Sequence, residues 1–259
     1  YKQGMPNNIN KDKKNLRRFL RFKPETEMKY VYYYAHAYNP NLDYQFPDKN
    51  DKERAETMAE LLDLDFDMFL TADEAQKICP INLEKEGYRF LRVIERENGE
   101  TSIIRTFGVA PHYSHPGEGT IIASMKNTTM PPAKVSFLAG HGERDINRVG
   151  DAGYYNFTQD ISYGEALVNN GFVVEPFELN LKEGKHIPED TGILYISQVK
   201  EPLSSEELNE IKQYIAEGGN MLISGDPGCQ DNMNPIMEEL GVEFMSGRLM
   251  TNNPDVTPN

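Results

Sequence analysis

After Pro132, short apolar runs alternate with amphipathic stretches at a regular spacing. The runs predict strands at 134–139, 172–179, 193–196, 221–224 and 242–245. Strands of this length that are separated by helices form mostly parallel sheets with both faces covered. Residues 133–259 are therefore predicted to form an α/β domain of the flavodoxin-like kind, built on a mostly parallel sheet.

Start signals mark three of the predicted helices in this part. Ser162 with Glu165, and Ser204 with Glu207, have the spacing of a capping box, in which each side chain bonds the other residue's backbone N–H. The dipeptide at 234–235 is expected to begin a third helix, because proline is tolerated in the first turn. The helices are expected to end at Gly171, Gly218 and Gly241.

Residues 28–132 predict a separate domain. The expected elements are a strand at 28–35, a helix at 51–62, a strand at 65–70, a helix at 71–79, strands at 88–95 and 101–107, and a helix at 119–125. This is the element order of a thioredoxin-like α/β domain, and Asn98-Gly99 indicates a type I′ turn between the last two strands. The loop at 36–50 contains no cysteine, which excludes dithiol chemistry and leaves binding or packing as its use.

The first 27 residues are basic, although the chain as a whole is acidic. Lysines and arginines alternate with leucines and phenylalanines between residues 11 and 23. One interpretation is a linker or amphipathic helix with a solvated basic face, which is the commoner case. The other is a juxtamembrane segment that lies against an anionic membrane surface.

Composition excludes several classes of function. The formal net charge of −14 and the pI near 4.9 would repel a phosphate backbone, so nucleic acid is not an expected partner. No apolar run is long enough to cross a bilayer. Cys79 and Cys229 lack the spacing of a metal or redox motif, so we predict two free thiols, no metal site and no cofactor. The abrupt beginning at Tyr1 and the end within the α/β pattern suggest a truncated segment of a longer protein.

Two polar loops should meet at the carboxyl edge of the parallel sheet, where ligands bind in such folds. They are GHGERD at 140–145 and GDPGCQ at 225–230, and they supply the candidate binding residues His141, Glu143, Arg144 and Asp226. One hypothesis is that these side chains contact a ligand or a partner. The alternative, given slightly more weight, is that glycines shape a turn whose charges pair with each other or with backbone amides. A metal site ranks third, because one loop offers too few ligands.

The strand and helix series that ends in YIAEGGNMLIS resembles the class I glutamine amidotransferase-like fold. In that fold the strand leads into a G-x-C-x-G nucleophile elbow. Here Ser224 and Gly225 follow the strand, and Cys229 lies beyond the tight turn. No His-x-Glu pair follows, so Cys229 has no base to activate its thiol and no catalytic residue is assigned.

Five segments together resemble the auxiliary component of bacterial ABC transporters associated with gliding motility. They are KVSFLAGHGERD, GFVVEPFELN, IPEDTGILYIS, LSSEELNEIKQYIAEGGNMLIS and MEELGVEF, between Pro132 and Met245. The resemblance implies a membrane-anchored protein with an extracytoplasmic, periplasmic soluble region, an amidotransferase-like fold without its triad, and transporter permease and ATPase subunits as partners. We therefore expect a non-enzymatic binding or scaffolding module. The alternative is a hydrolase or amidotransferase whose catalytic residues lie partly outside this segment.

Overall fold

The computed structural model describes residues 29–36, 46–61, 63–89, 91–105, 107–109, 112–114 and 117–247. The chain divides into two compact units, residues 1–121 and 122–259. The division falls within helix α3 (Glu118–Asn127), before the boundary predicted at 132. The basic segment at 1–27 lies outside the described residues.

The described part of the first unit contains short strands paired two by two. The elements before α3 are β1 (Tyr32–Tyr34), α1 (Asp51–Leu61), β2 (Phe69–Thr71), α2 (Ala72–Ile78), β3 (Leu91–Glu95), β4 (Thr101–Arg105), β5 (Phe107–Val109) and β6 (His112–Ser114). β1 and β2 are parallel, whereas β3 with β4 and β5 with β6 are antiparallel. Because the described strands form three separate pairs, a thioredoxin-like sheet is not confirmed.

The strand predicted at 65–70 begins later than expected. Asp65 accepts a hydrogen bond from the backbone N–H of Asp67 at 3.0 Å, which stabilises a 3₁₀ turn over Phe66–Met68. The following helix α2 is close to its predicted bounds. Thr71 and Glu74 form a capping box at its start, which fixes the first turn.

The hairpin between β3 and β4 forms where predicted, but with a different turn. The backbone N–H of Gly99 donates to Arg96 O at 2.9 Å, and Arg96 N donates to Glu100 O at 2.9 Å. Three residues, 97–99, therefore form the turn between the paired Arg96 and Glu100, and Gly99 adopts the left-handed conformation at φ 85°. The type I′ prediction is wrong, because that turn also needs a positive φ at Asn98, which is not among the positive-φ residues of the described chain.

A bidentate ion pair ties β4 to the turn before β3. Arg105 donates from Nε and Nη2 to the two carboxylate oxygens of Glu86, at 2.7 and 2.8 Å. The two side chains are only 12% and 10% exposed. Charge-assisted bonds of this geometry are strong and directional, so the pair fixes the turn against the hairpin.

The second unit is built on a four-stranded parallel sheet, which confirms the predicted architecture at this level. Its strands are β7 (Ala133–Ala139), β8 (Phe172–Glu178), β9 (Ile193–Ile196) and β10 (Met221–Ile223). Its helices after α3 are α4 (Tyr155–Thr158), α5 (Ser205–Ala216) and α6 (Gln230–Met237). The spatial order is β10-β9-β7-β8, and every neighbouring pair is parallel.

The strand order creates a topological switch point. β8 lies on one side of β7, and the chain then crosses to place β9 and β10 on the other side. This is the order of the first four strands in flavodoxin-like sheets, in which ligands bind at the carboxyl ends of the strands beside the switch. The loop after β7 and the loop after β10 both leave from that edge.

Alternation along the strands divides the core between the two faces of the sheet. Leu194 and Ile196 of β9 pack with residues of α5 and α6, and both side chains are fully buried. Tyr195 lies on the opposite face with Val135 and Phe137 of β7. Full burial of a large aliphatic side chain contributes about 1.5–3 kcal/mol, so both layers hold the sheet in place.

Helix α5 matches its sequence signals. The backbone N–H of Ser204 donates to Glu207 Oε2 at 2.7 Å, and Glu207 N donates to Ser204 Oγ at 3.3 Å. These bonds satisfy two N–H groups at the start of the helix. Gly218 follows the helix at φ 84°, as a C-terminal stop requires.

The capping box predicted at Ser162 and Glu165 is wrong. The backbone N–H of Ser162 donates to Asp160 Oδ1 at 2.8 Å, and the Glu165 carboxylate accepts from the hydroxyl of Tyr163. The two groups of the box are thus used elsewhere. The connection between β7 and β8 contains only the single turn α4 and a 3₁₀ turn over Leu167–Asn169.

The end of the described chain also departs from expectation. Helix α6 begins after Cys229, so Pro235 lies inside it rather than at its first position. The strand predicted at 242–245 does not form. Side chains of α6 instead bind backbone groups of residues 242–245. Phe244 N donates to Asn234 Oδ1 at 2.8 Å, and Met245 O accepts from Gln230 Nε2 at 2.6 Å.

β8 is an edge strand of the described sheet, and it contains Pro176 opposite Phe137 of β7. Proline lacks a backbone N–H and is therefore tolerated at an edge more readily than within a sheet. None of the helices among the described residues is long and apolar enough to cross a membrane.

Candidate functional site

Arg144 and Asp226 bring the two polar loops together at the carboxyl edge of the sheet. Arg144 Nη2 donates to Asp226 Oδ2 at 2.8 Å, and Nη1 donates to Asp151 O at 2.9 Å. The guanidinium carbon lies 5.7 Å from the ring centroid of Tyr154. The hydrogen bond and charge of Asp226 raise the pKa of Arg144 above its usual range. Two of the four predicted site residues therefore bind each other.

Glu143 lies inside the loop rather than on its surface. The backbone N–H of His141 donates to Glu143 Oε2 at 2.7 Å, and the Glu143 side chain is only 2% exposed. This bond turns the carboxylate inward, as the turn-shaping alternative predicts, in which charges of the loop pair with backbone amides. Its role in binding stays a prediction.

His141 connects the loop to the region after β9. Its backbone carbonyl accepts from Lys200 N at 2.7 Å and from Glu201 N at 3.0 Å. Its imidazole lies between two carboxylates, with Nδ1 3.7 Å from Glu143 Oε1 and Nε2 3.5 Å from Glu207 Oε2. The imidazole thus faces both its own loop and the start of α5.

Glu207 stays ionised at this position. Burial acts to raise the pKa of its carboxyl, but hydrogen bonds from Ser204 and the nearby His141 outweigh burial and leave the pKa lowered. An ionised carboxylate only accepts hydrogen bonds. Glu207 therefore acts as an acceptor toward both Ser204 and the His141 ring.

A cavity of about 300 Å³ lies beneath the loop, at the carboxyl end of β7. Its wall combines loop backbone, apolar side chains and the charged stretch of the loop. The lining residues are Phe137, Leu138, Ala139, Gly140, Gly142, Glu143, Arg144, Asp145, Ile146 and Pro176. The volume falls at the lower end of the range for small-molecule sites.

Tyr154, Tyr195 and Ser224 form a hydroxyl cluster at the same edge. The Tyr195 hydroxyl lies 2.8 Å from Ser224 Oγ, and the Tyr154 hydroxyl lies 3.5 Å from it. Phe137 stacks on Tyr195 at 4.3 Å between ring centroids. Burial raises the pKa of Tyr195 to about 12. Sequence reasoning missed the two tyrosines, although Tyr195 near the end of a strand beside the switch point was a usable signal.

Cys229 occupies a packed position before α6. The residue is 3% exposed, and burial raises the pKa of its thiol. A Cβ atom at Gly225 would lie 2.6 Å from Cys229 Sγ and 3.1 Å from the Phe244 ring, which shows how closely the chain passes here. Both Cys79 and Cys229 are free thiols, as predicted. A buried thiol with a raised pKa is a poor nucleophile.

Two further candidate uses of this edge are a metal site and an exposed surface for a partner. Within the described ranges, no group of three or more His, Cys, Asp or Glu side chains is placed to hold a metal ion. Asp226 remains accessible, since its side chain is 57% exposed, and Arg144 is 36% exposed. The arrangement can therefore present charged groups to a partner while its inner residues stay packed.

These features define the class of the second unit: a parallel α/β domain with two polar loops and a small cavity at the carboxyl edge of its sheet. Residues 132–258 match the model of an auxiliary family described as an ABC-type uncharacterized transport system. The match suggests an auxiliary protein associated with ABC-type transport. Comparison with curated proteins and with solved structures found no match.

Proposed function

We propose that this chain is a non-catalytic, extracytoplasmic binding or scaffolding module of an ABC transporter auxiliary protein. The family match to residues 132–258 supports the link to transport. We further propose that the second unit is a glutamine amidotransferase-like domain that has kept the crevice without the nucleophile. Gliding motility, a membrane anchor in the parent protein and contact with permease or ATPase subunits belong to the same proposal.

The non-catalytic assignment depends on one observation: which residues occupy the elbow position and what they bind. Ser224 follows β10 where that fold would place its nucleophile, and its hydroxyl is bonded to Tyr195 at 2.8 Å. The thiol of Cys229 is buried beside Gly225 instead of exposed on the turn. Neither group is paired with an activating base in the hydrogen bonds above, as nucleophilic catalysis would need.

The Arg144–Asp226 pair is the proposed contact surface for the partner. It joins the two loops at the edge where the sheet's ligands would bind, and both side chains reach solvent. An exposed ion pair contributes little to stability, about 0–1 kcal/mol. Either side chain can therefore pair with a charged group of the partner instead, with little loss of folding stability.

The test is a binding assay of the full chain against purified permease and ATPase subunits. Arg144→Ala combined with Asp226→Ala should weaken the complex at least about tenfold, as the loss of a central charged contact does. The matched control is Lys212→Ala with Glu239→Ala, which removes a partly exposed pair of 3.0 Å between α5 and the 3₁₀ turn after α6. Equal binding by both double variants would refute the assigned surface.

The alternative function is tested separately. Glutaminase, esterase and thiol-oxidoreductase assays on the full chain should show no turnover. Activity that is lost in Cys229→Ala or Ser224→Ala would support a hydrolase or amidotransferase and overturn the proposal. Protease accessibility of a tag beside Tyr1 in the parent protein, measured in spheroplasts, would decide the extracytoplasmic location.

A further inference from the structure

The side chain of His141 lies between two carboxylates that belong to different elements. Its Nδ1 atom is 3.7 Å from Glu143 Oε1 in the same loop, and its Nε2 atom is 3.5 Å from Glu207 Oε2 at the start of α5. The imidazole is 13% exposed, and the carboxylates are 2% and 12% exposed. We call these two contacts the His141 bridge, because the ring joins the GHGERD loop to the helix away from bulk solvent.

The outer nitrogen of the ring faces an atom that can only accept a hydrogen bond. Although burial acts to raise it, the pKa of Glu207 is lowered by Ser204 and by His141, so this carboxylate is ionised. In a neutral imidazole one nitrogen carries a hydrogen and the other does not. A neutral His141 would therefore point a bare nitrogen at one of the two carboxylates, whereas an imidazolium can donate to both.

The inner side of the ring leads to the same protonation state. His141 Nδ1 and Glu143 Oε1 are buried, and neither has a hydrogen bond to another group of the described chain. Buried polar atoms are nearly always satisfied. A hydrogen on Nδ1 satisfies both atoms at once, because they then form a charge-assisted contact with each other.

The other charged groups around the ring do not offset the two carboxylates. Lys200 and Glu201, which follow β9 and bind the carbonyl of His141 through their backbone N–H groups, are both exposed and opposite in sign. Arg144 in the same loop pairs with Asp226 at 2.8 Å. The charge that faces His141 is therefore negative, which favours a positively charged ring.

We propose that the His141 bridge is a proton-dependent contact that holds the GHGERD loop against the start of α5. With both nitrogens protonated, the ring attracts Glu143 and Glu207 together. Loss of one proton leaves a nitrogen lone pair opposite a carboxylate, and the loop then separates from the helix. A proton that the folded state binds stabilises it at low pH and is lost as the pH rises, so the bridge forms at acidic and neutral pH and breaks in mild alkali.

The bridge acts on the surface assigned to the partner, because Arg144 directly follows Glu143 in the loop. A loop that has left α5 no longer fixes Arg144 beside Asp226, and binding of the partner should weaken. The inference rests on the proposed function in this step alone. The ring and the loop are observed without any transporter subunit, so the bridge and the partner surface can fail separately.

The test is nitrogen-15 NMR of the full chain from mildly acidic to mildly alkaline pH. Both ring nitrogens of His141 should show imidazolium shifts at neutral pH. As the ring loses its second proton, the amides of Gly140 and Gly142 should shift with the same midpoint. Binding to purified permease and ATPase subunits should weaken over the same range by at least about fivefold, the lower end of ordinary coupling between sites.

Two matched variants separate the bridge from the general effect of pH. Glu207→Gln removes one charge, but its amide oxygen can still accept from Ser204 N, since a capping box accommodates glutamine. This variant should let His141 lose its second proton at lower pH. The control is Glu210→Gln on the same helix, whose carboxylate lies 2.8 Å from the exposed His186. It should change the titration of His186 and leave His141 and the loop unchanged.

Three results would overturn the inference. The first is a His141 ring that carries a single proton at neutral pH in the unaltered chain. The second is a set of loop amides that do not respond while this ring titrates. The third is an unchanged titration of His141 in Glu207→Gln. If the loop responds as expected and partner binding does not follow the pH, the bridge is supported and the partner surface assigned to Arg144 is wrong.

Discussion

The carboxylate of Glu143 accepts a hydrogen bond from the backbone N–H of His141, two residues before it, at 2.7 Å. This short bond folds the GHGERD loop onto itself and gives its neighbouring charged side chains different environments. Glu143 turns inward, whereas Arg144 reaches across to Asp226 and remains partly exposed. The inward carboxylate of Glu143 therefore agrees with the turn-shaping hypothesis, whereas contact of the partly exposed Arg144 with a partner stays a prediction.

The two charges should differ in their effect on stability. Glu143→Ala leaves the His141 N–H without its partner in a buried setting, which should lower the free energy of unfolding by about 1–3 kcal/mol. Arg144→Ala removes a partly exposed ion pair and an exposed bond to Asp151 O, and together these should cost about 1 kcal/mol. Urea denaturation of both single variants measures the difference. Equal effects would show that the inward bond does not hold the loop.

The Glu86–Arg105 pair should be among the most sensitive points of the first unit. Arg105→Ala leaves a carboxylate that is 10% exposed without its bidentate partner, and breaking a buried pair costs about 3–5 kcal/mol. Hydrogen exchange of the β4 amides reports the local loss. The control is Glu56→Ala, in the exposed Lys52–Glu56 pair of α1, for which a change below about 0.5 kcal/mol is expected. A small effect of Arg105→Ala would mean that packing alone holds this turn.

The two cysteines should react at different rates in the folded protein. Cys229 is buried and the pKa of its thiol is raised by burial, so it holds less thiolate than an exposed thiol at the same pH. Cys79 is partly exposed. Iodoacetamide followed by peptide mass spectrometry should therefore find Cys79 modified first and Cys229 modified only after denaturation. Rapid labelling of Cys229 in native buffer would show an accessible nucleophile and weaken the non-catalytic assignment.

Tyr195 should contribute to loss of stability in alkali. Burial raises its pKa to about 12 from a usual value of 10.0, so the folded state keeps a proton that the unfolded state releases. Its contribution is complete below pH 10 and is lost as the pH rises toward 12. Tyr195→Phe should flatten this part of the stability profile and cost about 1 kcal/mol at neutral pH through the lost bond to Ser224. An unchanged alkaline profile in chemical denaturation would contradict the assignment.

Sequence signals predicted the second unit well where the signal was local and uncontested. The buried run of β7 and the capping box of Ser204 and Glu207 formed as expected, and the box keeps both of its hydrogen bonds although His141 also approaches Glu207. The same spacing at Ser162 failed, because Asp160 takes the N–H of Ser162. The run at 242–245 failed for a related reason, since Asn234 binds the N–H of Phe244. In both cases the side chain of another residue binds a backbone N–H that the predicted element would have used.

The candidate site was predictable to the level of loops and no further. Parallel topology was sufficient to place Arg144 and Asp226 at one edge, because both follow strands of the same sheet. The approach of Glu207 to His141 depends on where α5 begins over the sheet, and the Tyr195 hydroxyl cluster depends on which face each strand residue occupies. Neither relationship is encoded in the spacing of the residues concerned.

Pro176 has a consequence for how copies of this protein meet one another. An open sheet edge is a template on which another chain can add a strand, and proteins avoid such edge-to-edge aggregation by interrupting them. β8 forms such an edge of the described sheet, and the missing N–H of Pro176, together with the charges of Glu175 and Glu178, leaves an incoming strand without a continuous ladder. Addition of a strand from another copy to the β8 edge of the sheet is thereby disfavoured.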